Sequence, residues 1–169
     1  MVVRCRRLIC CRSSAKMSTD DQVSLLSFEN EVFRLYAWYA TAVTVKMMLM
    51  SIYVSQYRLR RKVVQNPEDV RGDKVKAFRR DEDIERGRRC HRNDMENIPP
   101  FLIVGLLYVL TGPTVYNATW YFRVFVGSRF FHTVAYLLPL PQPSRALGFF
   151  VGWCTIVSMA INVLKTGQM

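Results

Sequence analysis

Residues Glu85–Leu110 read ERGRRCHRNDMENIPPFLIVGLLYVL, and this stretch decides the fold. Arg88, Arg89, His91, Arg92, Asn93, Asp94 and Glu96 lead without a break into the apolar run Ile98–Leu110. Ionisable groups at or inside a membrane boundary are costly, so they either meet water and headgroups or build a site.

Working outward, three more segments are long and nearly uncharged: Leu35–Tyr57, interrupted only by Lys46, then Trp120–Leu138 and Ala146–Leu164. Crossing about 30 Å of hydrocarbon takes about 20 residues of helix. Four such helices consume most of the apolar content of a 169-residue chain that is 50% hydrophobic. The expected fold is all-α, an integral membrane four-helix bundle. The competing reading is a soluble bundle with unusually apolar helices. Lys46, alone near the middle of the first helix, must snorkel or face a partner inside the bundle, and the second role is expected.

A net charge of +11 could suggest nucleic acid. Most of the basic residues, however, lie between Arg58 and Arg92, interleaved with Asp and Glu. A mixed-sign segment is a poor phosphate-binding stripe, because its acids repel the nucleic-acid backbone. It suits a cytosolic loop, about residues 61–83, under the positive-inside rule. Both termini and the Gly112–Thr119 connection then fall on the opposite side, and the Leu138–Ser144 connection is cytosolic. Residues 1–30 read as an N-terminal leader, 31–165 as a single four-helix domain and 166–169 as a tail. Arg4, Arg6, Arg7, Arg12 and Lys16 would be translocated in this topology, so residues 1–16 are expected to be a non-native or isoform-specific leader, with Met17 as the start. They lack the apolar core of a cleavable signal peptide.

Five cysteines without CxxC pairs or a His set at metal-ligand spacing support neither a disulfide framework nor a metal site. Cys90, among arginines, is either a reactive or sensor thiol or a bystander. The sequon Asn117-Ala118-Thr119 lies too close to the membrane to be used.

The helices are expected over Glu31–Arg60, from near Asp83 to Gly112-Pro113, over about Ala118–Leu138, and from Ala146. Asn66-Pro67-Glu68-Asp69 breaks the first, and Pro99-Pro100 is expected to kink the second at the membrane boundary. Positions three and four apart share a helical face. Arg89, Arg92 or Asn93, and Glu96 therefore form one stripe, and Arg129, His132 and Tyr136 another. A short loop makes these two helices antiparallel neighbours, which brings the stripes to similar depth. Arg58 and Arg145 fall at the same end. Guanidiniums hold carboxylates in bidentate pairs, Glu96 could take an ammonium group, and Tyr136 and His132 add neutral hydrogen bonding. A peptide-like anion with two carboxylates and one amine fits, and glutathione matches that description. The alternative is that these arginines anchor helix ends to headgroups.

The segments KMMLM (46–50), YRLRRKVVQNPED (57–69), ERGRRCHRNDMENIPPFL (85–102), FRVFVGSRFFHTVAYLLPLPQPSRAL (122–147) and FFVG (149–152) together resemble the MAPEG family of membrane proteins. The resemblance implies a homotrimer with glutathione as co-substrate, bound between subunits near the cytosolic face. It implies transfer of the glutathione thiolate to hydrophobic electrophiles in the lipid bilayer, and glutathione peroxidase activity on lipid hydroperoxides. The membrane would be endoplasmic reticulum, with mitochondrial outer membrane as a further site. Matching positions imply Arg58, Arg88, Arg89, His91, Arg92, Asn93, Glu96, His132 and Tyr136 as glutathione contacts, and Arg145 as the catalytic, thiolate-stabilising residue. Neither a metal nor a nucleic-acid partner is implied. A branch of the family that isomerises a prostaglandin endoperoxide has a serine after the fourth-helix arginine and a tyrosine three residues further on. Ala146 and Phe149 stand there in this chain, which favours the transferase. A non-catalytic lipid-binding member of the fold is the third alternative. Pro99 departs from the family pattern, which has a larger side chain there.

Overall fold

The computed structural model describes residues 25–64, 66, 70 and 81–168. Residues 1–16, Met17, the Pro67-Glu68-Asp69 break and most of the expected loop lie outside the described residues.

Four helices follow in order: α1 (Glu31–Arg61), α2 (Glu82–Leu110), α3 (Val115–Leu137) and α4 (Ser144–Gly167). Their ends are set by local chemistry. The Asn30 side chain caps α1 by accepting from the Val32 and Phe33 N–H groups, satisfying donors that have no partner within the helix. Lys62 ends it in the left-handed conformation, with Val63 N–H returning to the Arg58 carbonyl. Asp81 caps α2 from the Asp83 and Ile84 N–H groups. Gly112, at φ 63°, makes the left-handed turn out of α2. Thr114 caps α3 through Asn117 N–H, so this helix starts at Val115, three residues before the expected Ala118. The α2 helix runs without interruption across Pro99 and Pro100. Each proline removes one i→i−4 bond, freeing the Met95 and Glu96 carbonyls. Met95, Glu96, Pro99 and Pro100 are all exposed, which puts this defect on the outer face of the bundle.

Cross-helix contacts establish up-down-up-down packing. Arg61 reaches Asp81, Lys46 reaches Asp94, and the Tyr36 hydroxyl donates to the Leu102 carbonyl at 2.6 Å, so α1 and α2 run antiparallel. Phe101 stacks on Phe125 with ring centroids 4.0 Å apart, and Tyr108 meets Tyr121, which sets α3 antiparallel to α2. Gly148 and Gly152 of α4 pack on His132 and on Ser128 and Arg129 of α3. The termini of α1 and α3 and the starts of α2 and α4 therefore share one end of the bundle.

The core at the other end is aromatic: Tyr36, Phe101, Tyr108, Phe122 and Phe125 interlock with Val43, Ile98 and Met159. The exterior is also apolar. Trp38, Met48, Leu49, Ile103, Trp120, Phe150, Trp153 and Leu164 are all exposed. A soluble monomer rarely shows so much contiguous apolar surface, whereas hydrocarbon solvates it. Among the described residues, α1 and α4 are by themselves long and apolar enough to cross a membrane. α2 and α3 carry more charge, and the next section places part of that charge inside the bundle.

Candidate functional site

Lys46 sits near the middle of α1 and is only 6% exposed. Its Nζ donates to both carboxylate oxygens of Asp94 on α2, at 2.6 Å each. Taking two charges out of water costs several kcal/mol per ion, and a buried charge persists only when it is closely paired. The pair therefore explains how α1 tolerates a mid-span lysine, which has a bundle-facing structural role as expected.

One residue earlier on α2, Asn93 Oδ1 accepts from Arg129 Nη1 of α3 at 3.1 Å. Arg129 is fully buried, and its Nη2 donates to the Gly148 carbonyl of α4 at 2.6 Å. These bonds link all four helices through consecutive residues of α2. The close approach of α4 depends on glycine. A Cβ at Gly148 would come within 3.2 Å of His132 Cβ, and one at Gly152 within 2.9 Å of Arg129 Nη2. Two glycines four apart, in G-FFV-G, are the small-residue spacing that lets membrane helices pack backbone to backbone.

His132 is buried one helical turn from Arg129 and lies in the electrostatic field of Arg129, Lys46 and Arg145. Its ring stacks obliquely on Tyr136 with centroids 4.8 Å apart. The Arg145 guanidinium lies over the other end of this series, 5.1 Å from the Tyr136 ring centroid. His132, Tyr136 and Arg145 thus form one continuous group. Arg129 Nε, His132 Nδ1 and Arg145 Nε are buried atoms with no hydrogen-bond partner within the described protomer. Lys46 and Arg129 share a single buried carboxylate, Asp94, and Arg145 adds a third cation beside His132 and Tyr136. Such an excess of positive charge in a low-dielectric setting favours an anion.

The start of α4 adds to this. The helix has no side-chain cap, and its first turn carries Arg145 rather than an acid. A cation there opposes the helix dipole, so it costs stability in the protomer alone. Free N–H groups and a guanidinium at one place both attract an anion.

The remaining expected residues separate. Asn93 joins the buried group, whereas Arg88, Arg89, Arg92 and Glu96 are exposed on the outer side of α2. Arg88 pairs with Glu85 at 2.9 Å, and Arg89 pairs with Glu82. His91 and Arg58 are half-buried. The chain by itself therefore does not bring the stripe Arg89, Arg92, Glu96 against the stripe His132, Tyr136. Cys90 is buried and donates to Thr133 Oγ1 at 3.7 Å, the behaviour of a packed bystander thiol.

Sequence reasoning placed Arg129 in a stripe without giving it a partner, and gave Asp94 no role. A signal was available, because a lone lysine and a lone aspartate in neighbouring spans require each other. Gly148 and Gly152 were not singled out either, although their four-residue spacing was a signal.

At the shared end, Arg61 donates to both Asp81 oxygens at 2.7 Å and to Asp83 at 2.7 Å, and lies 5.6 Å from the Tyr57 ring centroid. Chiefly through this hydrogen bond, Arg61 holds the Asp81 carboxyl below the usual carboxylate range. Partial desolvation acts in the opposite direction.

Comparison with known proteins gives a family match described as "MAPEG family" over residues 36–165. The microsomal glutathione S-transferase 1 of Sus scrofa is 53% identical over 143 residues, covering 82% of this chain and 92% of the relative. The Homo sapiens protein of that name matches to the same extent. The prostaglandin E synthase of Equus caballus is 39% identical over 142 residues, covering 83% of this chain and 93% of the relative.

Proposed function

The chain belongs to the MAPEG family, and from that premise we propose that it is a membrane-bound glutathione transferase that delivers the glutathione thiolate to hydrophobic electrophiles. Its relatives named as glutathione S-transferases cover most of both chains at half identity or better, and glutathione is the co-substrate.

The observation that carries the reading is the Arg145–Tyr136–His132 group at the uncapped start of α4. Glutathione offers two carboxylates to the guanidiniums and a thiol that must lose its proton to react. Arg145, beside the free N–H groups of the first turn, stabilises the resulting thiolate. Tyr136 supports the guanidinium from below through its ring face. His132 and Asn93 supply neutral hydrogen bonds to the peptide backbone of glutathione. The thiolate then attacks the electrophilic carbon, the leaving group departs with the bonding pair, and the thiol proton passes to solvent.

Arg88, Arg89, Arg92 and Glu96 enter the site through a neighbouring copy. An exposed Arg92 and Glu96 at the start of the apolar half of α2 are costly against lipid. Assembly as a homotrimer covers them and sets them against the buried group of the next subunit, with Arg58 and His91 at the margin. Glutathione is then held between subunits at the cytosolic end, where the residue 61–83 loop also lies. Lipid hydroperoxides reach the same thiolate from the bilayer, which makes glutathione-dependent peroxidase activity part of the reading. The membrane is that of the endoplasmic reticulum and, in part, the outer mitochondrial membrane.

The test is conjugation of chlorodinitrobenzene with glutathione by purified protein in lipid nanodiscs. Wild type is expected to turn over, and Arg145→Ala to lose nearly all activity while binding glutathione weakly. Full activity in that variant would remove Arg145 from the mechanism. Isomerisation of a prostaglandin endoperoxide without conjugation would transfer the chain to the synthase branch. Glutathione binding with no consumption of electrophile or peroxide would leave a non-catalytic binder.

A further inference from the structure

The Lys46–Asp94 pair lies outside the set of residues proposed to touch glutathione, yet it shares a helical turn with one of them. Asp94 and Asn93 are consecutive on α2, about 100° apart around its axis. Lys46 grips the first from α1 and Arg129 grips the second from α3. Between Arg92 and Asn97 the single apolar residue, Met95, is exposed, so within this turn the inward face of α2 is made by Asp94 and Asn97 rather than by apolar side chains. The Arg129 guanidinium that holds Asn93 also holds the Gly148 carbonyl, three residues beyond Arg145.

We infer that the Lys46–Asp94 ion pair is a positioning element of the glutathione site. It locks the rotation of α2 so that Asn93 is presented to Arg129, and through Arg129 and the Gly148 carbonyl it sets the α4 turn that bears Arg145. The inference rests on the transferase reading. Neither residue touches glutathione; both act through Asn93 and Arg129. The geometry supports this over mere bracing in two ways. The lysine bonds both carboxylate oxygens, which fixes the carboxylate plane as well as its distance. The Asp94 charge also reaches Arg129 electrostatically, so its loss leaves Lys46 and Arg129 as two buried cations without a counter-charge.

The experiment uses full-length protein in nanodiscs and measures KM for glutathione, kcat with chlorodinitrobenzene, glutathione affinity by calorimetry, and Tm. Asp94→Asn keeps the side-chain shape and removes the charge; it is expected to raise KM and Kd for glutathione about tenfold or more, since small displacements in a site carry such factors. Asp94→Glu is expected to recover part of the loss. The double variant Lys46→Met with Asp94→Leu removes both charges of the pair together, so no unpaired lysine is left, while Arg129 keeps the Gly148 carbonyl as a partner; Tm checks that the fold is retained. It too is expected to show raised KM, because no directional bond then fixes α2. Val109→Ala, buried in the opposite end of α2, is the stability control: it lowers Tm and leaves KM unchanged. A double variant with wild-type KM would overturn the positioning role, and so would an Asp94→Asn effect no larger than the control's. Wild-type protein that neither binds nor conjugates glutathione would instead refute the transferase reading itself, and the inference with it.

Discussion

Replacing Gly152 by alanine is the sharpest single test of the α3–α4 contact. An alanine Cβ at this position would stand 2.7 Å from Ser128 Oγ, 2.9 Å from Arg129 Nη2 and 3.1 Å from Arg129 Nε. Ordinary contact between such atoms begins near 3.5 Å, so the neighbours must retreat by roughly half an ångström or more. A flexible surface arginine would do this cheaply. Arg129 is fully buried and held at both ends, by Asn93 at 3.1 Å and by the Gly148 carbonyl at 2.6 Å. Overpacking of a tight interior costs about 1–3 kcal/mol, and a weakened charged hydrogen bond adds about 1 kcal/mol or more. The gain in helix propensity from glycine to alanine returns about 1 kcal/mol. The net expectation is a loss of about 2 kcal/mol, or a fall in Tm of about 4–8 °C for a chain of this size. Gly127→Ala is the matched control, since nothing lies within 4 Å of the added methyl. It is expected to be neutral or to raise Tm slightly. Both variants would be unfolded thermally in the same nanodisc preparation. If Gly152→Ala proved as stable as Gly127→Ala, α4 would not be seated on Arg129 as described. Adding Ser128→Ala refines the result: the double variant is expected to stay destabilised, because the arginine contact remains.

Phe101→Ala removes the ring that stacks on Phe125 at 4.0 Å, in a fully buried position, and is expected to cost about 3–5 kcal/mol in thermal unfolding. Asn30→Ala deletes the acceptor for two N–H groups of α1 and is expected to cost about 1 kcal/mol. The Arg61–Asp81 clasp has a defined pH response. Asp81 is held below its ordinary value of about 3.9, so the clasp's contribution is present above that pH and is lost as pH falls through the lower folded value. Hydrogen exchange at the Asp83 and Ile84 amides is expected to rise, after correction for intrinsic rates, only below about pH 4. Asp81→Ala, which removes the acceptor altogether, should show raised exchange already at neutral pH, and protection equal to wild type there would refute the cap and clasp.

The spans were legible because membrane helices obey a simple length rule. Leu35–Tyr57 and Ala146–Leu164 fall inside α1 and α4 with margins of a few residues. The start of α3 was misplaced because Tyr116 and Asn117 read as loop, whereas Thr114 supplies a cap that lets the helix begin at Val115. The common end of Arg58, Tyr136 and Arg145 followed from the short α2–α3 and α3–α4 connections. What could not be read was which protomer face each polar residue of α2 would take.

The reason is physical and local to residues 92–97. Periodicity orients a helix only when apolar and polar residues alternate around it. Arg92, Asn93, Asp94, Glu96 and Asn97 spread over about 200° of the circumference of α2, so the pattern left Arg92 and Asn93 as alternatives for one stripe. The structure separates them: Asp94 is fully buried, Asn93 half-buried, and Arg92 and Glu96 exposed. The deciding information sits on other helices, in Lys46 of α1 and Arg129 of α3. Lys46 would lose its only charged partner in another rotation of α2, and a buried ion left unpaired costs several kcal/mol. Rotating α2 by one residue would place Asn93 before Lys46, exchanging a charged partner for a neutral one. A polar turn inside a membrane bundle thus takes its orientation from the charges opposite it. That same turn therefore fixes which of its side chains remain on the outer face of the bundle.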